Sequence, residues 1–189
     1  SVLRTIRSID QSDVVFMVLE ASQLVIAQDT HVAGQVADSL KGVVILVNKW
    51  DLATDLGLDE AYCMRIIRDR FKFMPYAPVR FVSALEGSGI NEALDATLMV
   101  FEERKRRVPQ DKLYSEVLSA MGNHPPPNKG RRTLKVRRVL QEGVNPPKIV
   151  FYVNDPDLVH FSYRRFLENR LRESFGFRWT HLNLVFRGR

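Results

Sequence analysis

Two short runs, residues 14–19 (VVFMVL) and 43–47 (VVILV), are apolar at every position. A strand with one wet face alternates apolar and polar residues. A run that is apolar throughout needs cover on both faces, which is the condition of a strand inside a parallel sheet. A third run, residues 79–82 (VRFV), is likewise rich in β-branched and aromatic residues. Helical patterns stand between and after these runs. Val32, Val36 and Leu40 recur every four residues, with Gly42 placed to stop the helix. Residues 58–73 form a second helix with Tyr62 and Ile66 on one side. Ile90, Leu94, Thr97, Leu98 and Phe101 repeat the pattern after Gly87-Ser88-Gly89. Strands alternating with helices of this length predict an α/β domain with right-handed crossovers and a mostly parallel sheet. Ligands of such sheets bind at the carboxyl ends of the strands.

At those ends stand Asn48-Lys49-Trp50-Asp51 after the second strand and Ser83-Ala84-Leu85 after the third. The Asp51 carboxylate can accept two parallel hydrogen bonds, from the N1–H and the 2-amino group of guanine. Adenine offers neither donor there and would leave a desolvated carboxylate unpaired, a difference that can discriminate roughly 10⁴-fold. The Asn48 amide can contact the purine edge or tie the two loops together. The aliphatic stem of Lys49 can lie flat over base and sugar. The Ala84 N–H can donate to guanine O6, with Ser83 holding the loop in shape and Leu85 beside it. The competing reading is that Asn48 and Asp51 only cap a turn, a common role for both types.

A nucleotide hydrolase also needs a phosphate cradle, and G-x-x-x-x-G-K-[ST] supplies one from backbone N–H groups and a lysine. The chain has ten glycines, and none is followed by lysine. No aspartate has glycine three places later, so the usual Mg²⁺-side Asp-x-x-Gly is absent too. The chain opens inside a helical pattern (Val2, Ile6, Ile9). We therefore expect the rear part of a larger nucleotide-binding domain, which alone does not hydrolyse GTP. No catalytic residue is assigned within it.

The formal charge of +6 is unevenly placed. Residues 1–112 carry 14 basic and 16 acidic side chains, residues 113–189 carry 14 and 6. Such asymmetry points to nucleic acid or a membrane surface. No apolar run approaches the roughly 20 residues that span a bilayer. One cysteine, Cys63, excludes an intramolecular disulfide and reads as a free thiol. The four histidines are dispersed, which disfavours a Cys/His metal site. A boundary falls where Arg104-Lys105-Arg106-Arg107 closes a helical pattern before Pro109, giving domains 1–109 and 110–189.

The second domain reads α-β-β-α-β. Leu113, Val117 and Met121 share a helical face, and Pro125-Pro126-Pro127 forces an extended linker. Residues 132–140 (RTLKVRRVL) fit a strand with one buried and one cationic face. Residues 144–147 turn, and 149–153 form a second strand. Asp155-Pro156 reads as a helix start. Tyr163, Phe166, Leu167 and Leu171 face inward, with Arg164, Arg165, Glu168 and Arg172 opposite and Gly176 ending the helix. Residues 182–186 give the last strand. Lys129, Arg131, Arg132, Lys135, Arg137 and Arg138 form a candidate phosphate-contacting set; the alternative is a solvated strand face. His160 and Tyr163 are read as core ahead of a domain interface.

Several stretches resemble the EngA/Der family of bacterial-type GTPases: Ser1-Val2-Leu3-Arg4-Thr5, Glu20-Ala21-Ser22, Gln28-Asp29, Asn48-Lys49-Trp50-Asp51-Leu52, Tyr76-Ala77-Pro78 and Phe81-Val82-Ser83-Ala84-Leu85. His124-Pro125-Pro126-Pro127, Val153-Asn154-Asp155-Pro156, His160-Phe161-Ser162-Tyr163 and Leu167-Glu168-Asn169 extend the resemblance in order along the whole chain. It implies the rear of a second G domain, a partial Ras-like P-loop GTPase of three layers, followed by a small α+β KH-like domain. It further implies GTP or GDP as ligand, Mg²⁺ held only with upstream segments, and large-subunit ribosome assembly with rRNA as partner. The place of action would be the cytoplasm, or an organelle matrix or stroma in a eukaryote. The alternative is a non-enzymatic RNA-binding or ribosome-binding adaptor with a residual guanine pocket. The first strand would normally pair with a missing upstream strand, which leaves an exposed apolar edge. Glu20 stands where relatives usually have aspartate, and is read as a minor change away from the base. The KH nucleic-acid loop Gly-x-x-Gly is absent, so sequence-specific reading of single strands is not expected.

Overall fold

In the computed structural model the backbone is described for residues 2–188 and side chains from residue 7 to 188. Ser1, Arg189 and the side chains of residues 2–6 lie outside the described residues, and with them most of the opening stretch Ser1-Val2-Leu3-Arg4-Thr5. The chain divides into two compact units. One holds the residues up to Glu103 with Trp179–His181, the other Arg104–Arg178 with Leu182 onward.

The first unit runs α1 (Val2–Gln11), β1 (Val14–Glu20), α2 (Ala27–Asp38), β2 (Gly42–Asn48), α3 (Glu60–Arg70), β3 (Val79–Phe81) and α4 (Ile90–Arg104). Its sheet has the order β1-β2-β3 and is parallel throughout. β2 is buried along nearly its whole length because both its faces are covered. Val43, Ile45 and Val47 pack with Ala33, Val36, Ile67 and Phe71 on one side. Val44 and Leu46 pack with Val82, Ala93, Ala96 and Val100 on the other. The all-apolar run thus has the cause assigned to it, burial on two faces.

Helix faces depart from expectation. The inward face of α3 is Cys63 and Ile67, while Tyr62 is exposed beneath Arg65. α4 meets the sheet through Ala93, Ala96 and Val100, leaving Leu94 and Leu98 51% and 63% exposed. Small residues allow close approach, and leucine spacing alone misidentified the buried stripe. Gly42 does not stop α2. It is the first residue of β2, and the reversal falls at Leu40, which takes a positive φ of 56°. On β1, Phe16 and Val18 lie in register with Val44 and Leu46, yet are 43% and 56% exposed.

The second unit contains α5 (Gln110–Asn123), β4 (Val136–Gly143), β5 (Lys148–Val153), α6 (Phe161–Phe175) and β6 (Asn183–Arg187). β5 is central, antiparallel to β4 and parallel to β6. α5 and α6 supply Leu113, Val117, Tyr163, Leu167 and Leu171 to a core with Val139, Ile149, Phe151 and Leu184. The α-β-β-α-β order and the α+β class agree with the sequence reading.

Two local starts differ. β4 begins at Val136, not at residue 132, because side chains take the backbone groups upstream. Asn154 Oδ1 accepts from the Lys135 N–H at 2.8 Å, and Asn154 Nδ2 donates to the Thr133 carbonyl at 3.0 Å. Asp155-Pro156 opens only a short 3₁₀ turn, Pro156–Leu158, with Asp155 accepting from the Asp157 N–H. α6 starts later, capped by exposed His160, whose Nδ1 accepts from the Ser162 N–H. His160 is therefore not core, whereas Tyr163 is buried.

Candidate functional site

β2 and β3 deliver their loops to one sheet edge because they pair in parallel, Ile45 with Val79 and Val47 with Phe81. The loops are joined by three contacts. The Trp50 N–H donates to the Val82 carbonyl at 3.0 Å. The Ala84 N–H donates to Asn48 Oδ1 at 3.0 Å. The Trp50 and Phe81 rings lie 4.4 Å apart between centroids. Asn48 thus takes the loop-tying role of its two sequence alternatives. The Ala84 N–H, expected to face guanine O6, is occupied by Asn48 in this structure.

Ser83 is fully buried. Its N–H donates to the Ser88 carbonyl at 3.0 Å, and its Oγ accepts from the Glu86 N–H at 3.2 Å. The tight return requires Gly89, at φ +72°, because a Cβ there would run into the Phe81 carbonyl oxygen. Leu85 projects from this loop, 88% exposed. Such an apolar side chain at a strand end offers a surface for a flat ring.

Lys49 sits at φ 61°, ψ 36°, the left-handed region, and opens the short 3₁₀ turn Trp50–Leu52 that carries Asp51. One Asp51 oxygen, Oδ1, is shielded from solvent and takes no hydrogen bond within the protein. A carboxylate oxygen shielded without a donor costs free energy unless a partner is supplied. Rotation about χ2 is soft for a carboxylate, so both oxygens can be turned to meet a ligand bringing two parallel donors. Turn capping does not account for this oxygen.

Glu20 makes a contact that the sequence did not suggest. It ends β1 as the register partner of Asn48, and its Oε1 lies 2.8 Å from Lys49 Nζ. Ser22 Oγ donates to the same oxygen at 2.6 Å. These two hydrogen bonds, Lys49 first, hold the Glu20 carboxyl below the usual range. The signal was available: in a parallel sheet, the last residues of adjacent strands stand side by side.

The basic set divides. Arg132 is ion-paired with Asp155 at 2.8 Å, and its backbone closes a turn with Lys129. Lys129, Arg131, Lys135, Arg137 and Arg138 are exposed, and among the described residues none has an acidic partner. A bulge between Val136 and Arg138 breaks the alternation expected for residues 132–140, so neighbouring Arg137 and Arg138 are both exposed. On α6, Arg164 and Arg172 are not simply solvated. Arg164 donates to the Leu184 carbonyl at 2.7 Å, and Arg172 to that of Phe177. Cys63 is buried, its thiol pushed up by desolvation, first, and by Asp59. No helix among the described residues is long and apolar enough to cross a membrane.

Residues 107–187 match the family described as the KH-domain-like, C-terminal domain of EngA bacterial GTPase enzymes. The whole chain aligns with proteins named GTPase Der. It is 45% identical to that of Thermomicrobium roseum over 192 residues, 40% to that of Chloroflexus aggregans over 191, and 41% to that of Geobacillus kaustophilus over 189. Each alignment covers 100% of this chain but 42–43% of the relative, so the chain spans about two-fifths of their length.

Proposed function

The chain belongs to the EngA/Der family of GTPases, and on that premise we propose that it carries the base-reading part of a GTP-hydrolysing factor for large ribosomal subunit assembly. Asn48, Lys49, Asp51, Ser83, Ala84 and Leu85 form the guanine site. The observation that carries this is the shielded, donorless Asp51 oxygen beside two loops already tied together. Guanine presents N1–H and a 2-amino group to that carboxylate, the pair of donors it lacks. The Lys49 stem and Leu85 supply apolar surface for the ring faces.

The triphosphate and Mg²⁺ are assigned to parts of the full-length protein outside these 189 residues, because no Gly-Lys-Ser/Thr loop lies within them. Residues 1–109 then serve as the rear of a G domain and 110–189 as a KH-like domain that meets rRNA in the cytoplasm. Lys129, Arg131, Lys135, Arg137 and Arg138 are the phosphate contacts, with Arg132 oriented by Asp155 at their edge.

The test is Asp51→Asn in the full-length protein. An amide offers one acceptor where guanine needs two, so preference for GTP over inosine and xanthosine triphosphates should be lost. Unchanged selectivity would overturn the site. Retained guanine binding without GTP turnover in the wild-type protein would leave the adaptor reading.

A further inference from the structure

Ser22 and Glu20 lie outside the proposed guanine site, yet the chain they form ends on Lys49, which belongs to it. Lys49 occupies a left-handed conformation that a non-glycine residue adopts at a cost. Its ammonium is held at 2.8 Å by a carboxylate from the neighbouring strand end. That carboxylate is in turn held by Ser22. A lysine side chain is long and mobile, and immobilising it on binding subtracts from affinity. Here the two ends of the stem are fixed without any ligand, the Cα by the turn and the Nζ by Glu20.

We propose that Glu20 is a positioning residue of the nucleotide site: with Ser22 it anchors the Lys49 ammonium at the end of β1, so that the lysine stem forms a standing apolar platform for the purine and ribose. This rests on the guanine-site reading and deepens it. The stem meets the face of the ring, which all purines share, and Asp51 meets the edge, which they do not. Asp51 therefore sets which base is held, and Glu20 how long any purine nucleotide stays. The contact is partly exposed, side chains 51% and 44%, so its effect is modest.

The experiment measures dissociation of fluorescent GDP and IDP from the full-length protein. Glu20→Gln should speed release about three- to fivefold for both nucleotides, leaving their ratio unchanged. Ser22→Ala should act in the same direction and less, and Glu20→Asp, which keeps the charge, should restore most of the loss. In a Lys49→Ala background, Glu20→Gln should have no further effect. Wild-type release rates in Glu20→Gln would overturn the proposal. So would an equal effect in the Lys49→Ala background, which a merely structural strand end would give. Asp51→Asn run in parallel separates the two readings. If it abolishes guanine preference while Glu20→Gln changes nothing, the positioning role alone falls. If it leaves preference intact, the guanine site and the platform fall together.

Discussion

Tyr163 is buried on α6, where its hydroxyl donates to the His124 carbonyl at 2.9 Å and its ring stacks on His124 and contacts Phe166. Burial pushes its phenol up to about 12 from the ordinary 10.0. The unfolded chain then releases this proton first as pH rises, so the stability linked to it is complete below pH 10 and disappears between about 10 and about 12. Tyr163→Phe should cost about 1 kcal/mol near neutrality through the lost hydrogen bond, and the gap to wild type should close as pH climbs through that window. Urea titrations of both proteins at several pH values check this; a gap that stays constant to high pH would contradict it. Residue-level legibility was uneven for physical reasons. The loop-tying of Asn48 and the loop-holding of Ser83 could be read because both depend on residue type and on standing after an apolar strand. His160 was misread because histidine is an unusual cap. The contact of Glu20 with Lys49 could not be read locally because it comes from strand register, which no local pattern displays.

Elements were legible wherever burial on both faces or strict periodicity dictated them, and boundaries failed where side chains competed with the backbone. β2 needed no correction beyond one residue at each end, whereas the strand expected at residue 132 gave way to the Asn154 bonds that hold 133–135 in a loop. The edges of the second sheet show the same competition put to use. Arg164 donates to the Leu184 carbonyl of β6, and Gln110 to the Val139 carbonyl of β4, so backbone acceptors at both edges are occupied by side chains. Such occupation discourages pairing with another chain. In the first sheet Arg80 donates likewise to the Val79 carbonyl of edge strand β3 at 2.8 Å, whereas among the described residues no side chain guards the β1 edge in this way. Phe16 and Val18 on β1 and Leu94 and Leu98 on α4 leave large apolar side chains exposed in one unit. Large exposed apolar side chains promote association. The 189-residue segment by itself should therefore self-associate with rising concentration, and Val18→Lys with Leu98→Lys should reduce this. Sedimentation velocity across a concentration series reads the effect, and a monomer at every concentration would refute it.

For the whole molecule, the charge of +6 separates into a slightly acidic part and a basic one, and the basic part separates again. Some of its arginines serve the fold: Arg170 pairs with Glu116, Arg172 with Glu168, and Arg187 with Glu142. A guanidinium already neutralised by a carboxylate releases few counterions when it meets a phosphate. The exposed cations without acidic partners, Lys129, Arg131, Lys135, Arg137 and Arg138, are the ones whose phosphate contacts should appear in a salt titration. Each such contact contributes about 0.7–0.9 to the slope of log K against log salt. Replacing Arg131, Arg137 and Arg138 together by Gln should then lower the slope for association of the full-length protein with large-subunit rRNA by about 2 to 3. Arg132→Gln should change it by less than any one of these, because Asp155 already compensates that charge. Asp51→Asn, which lies in the loop after β2, should leave the slope as it was. Equal small changes across all these variants would mean that the basic face is solvated surface. A drop confined to the triple variant would place the RNA contact on the loop before β4 and on its bulge.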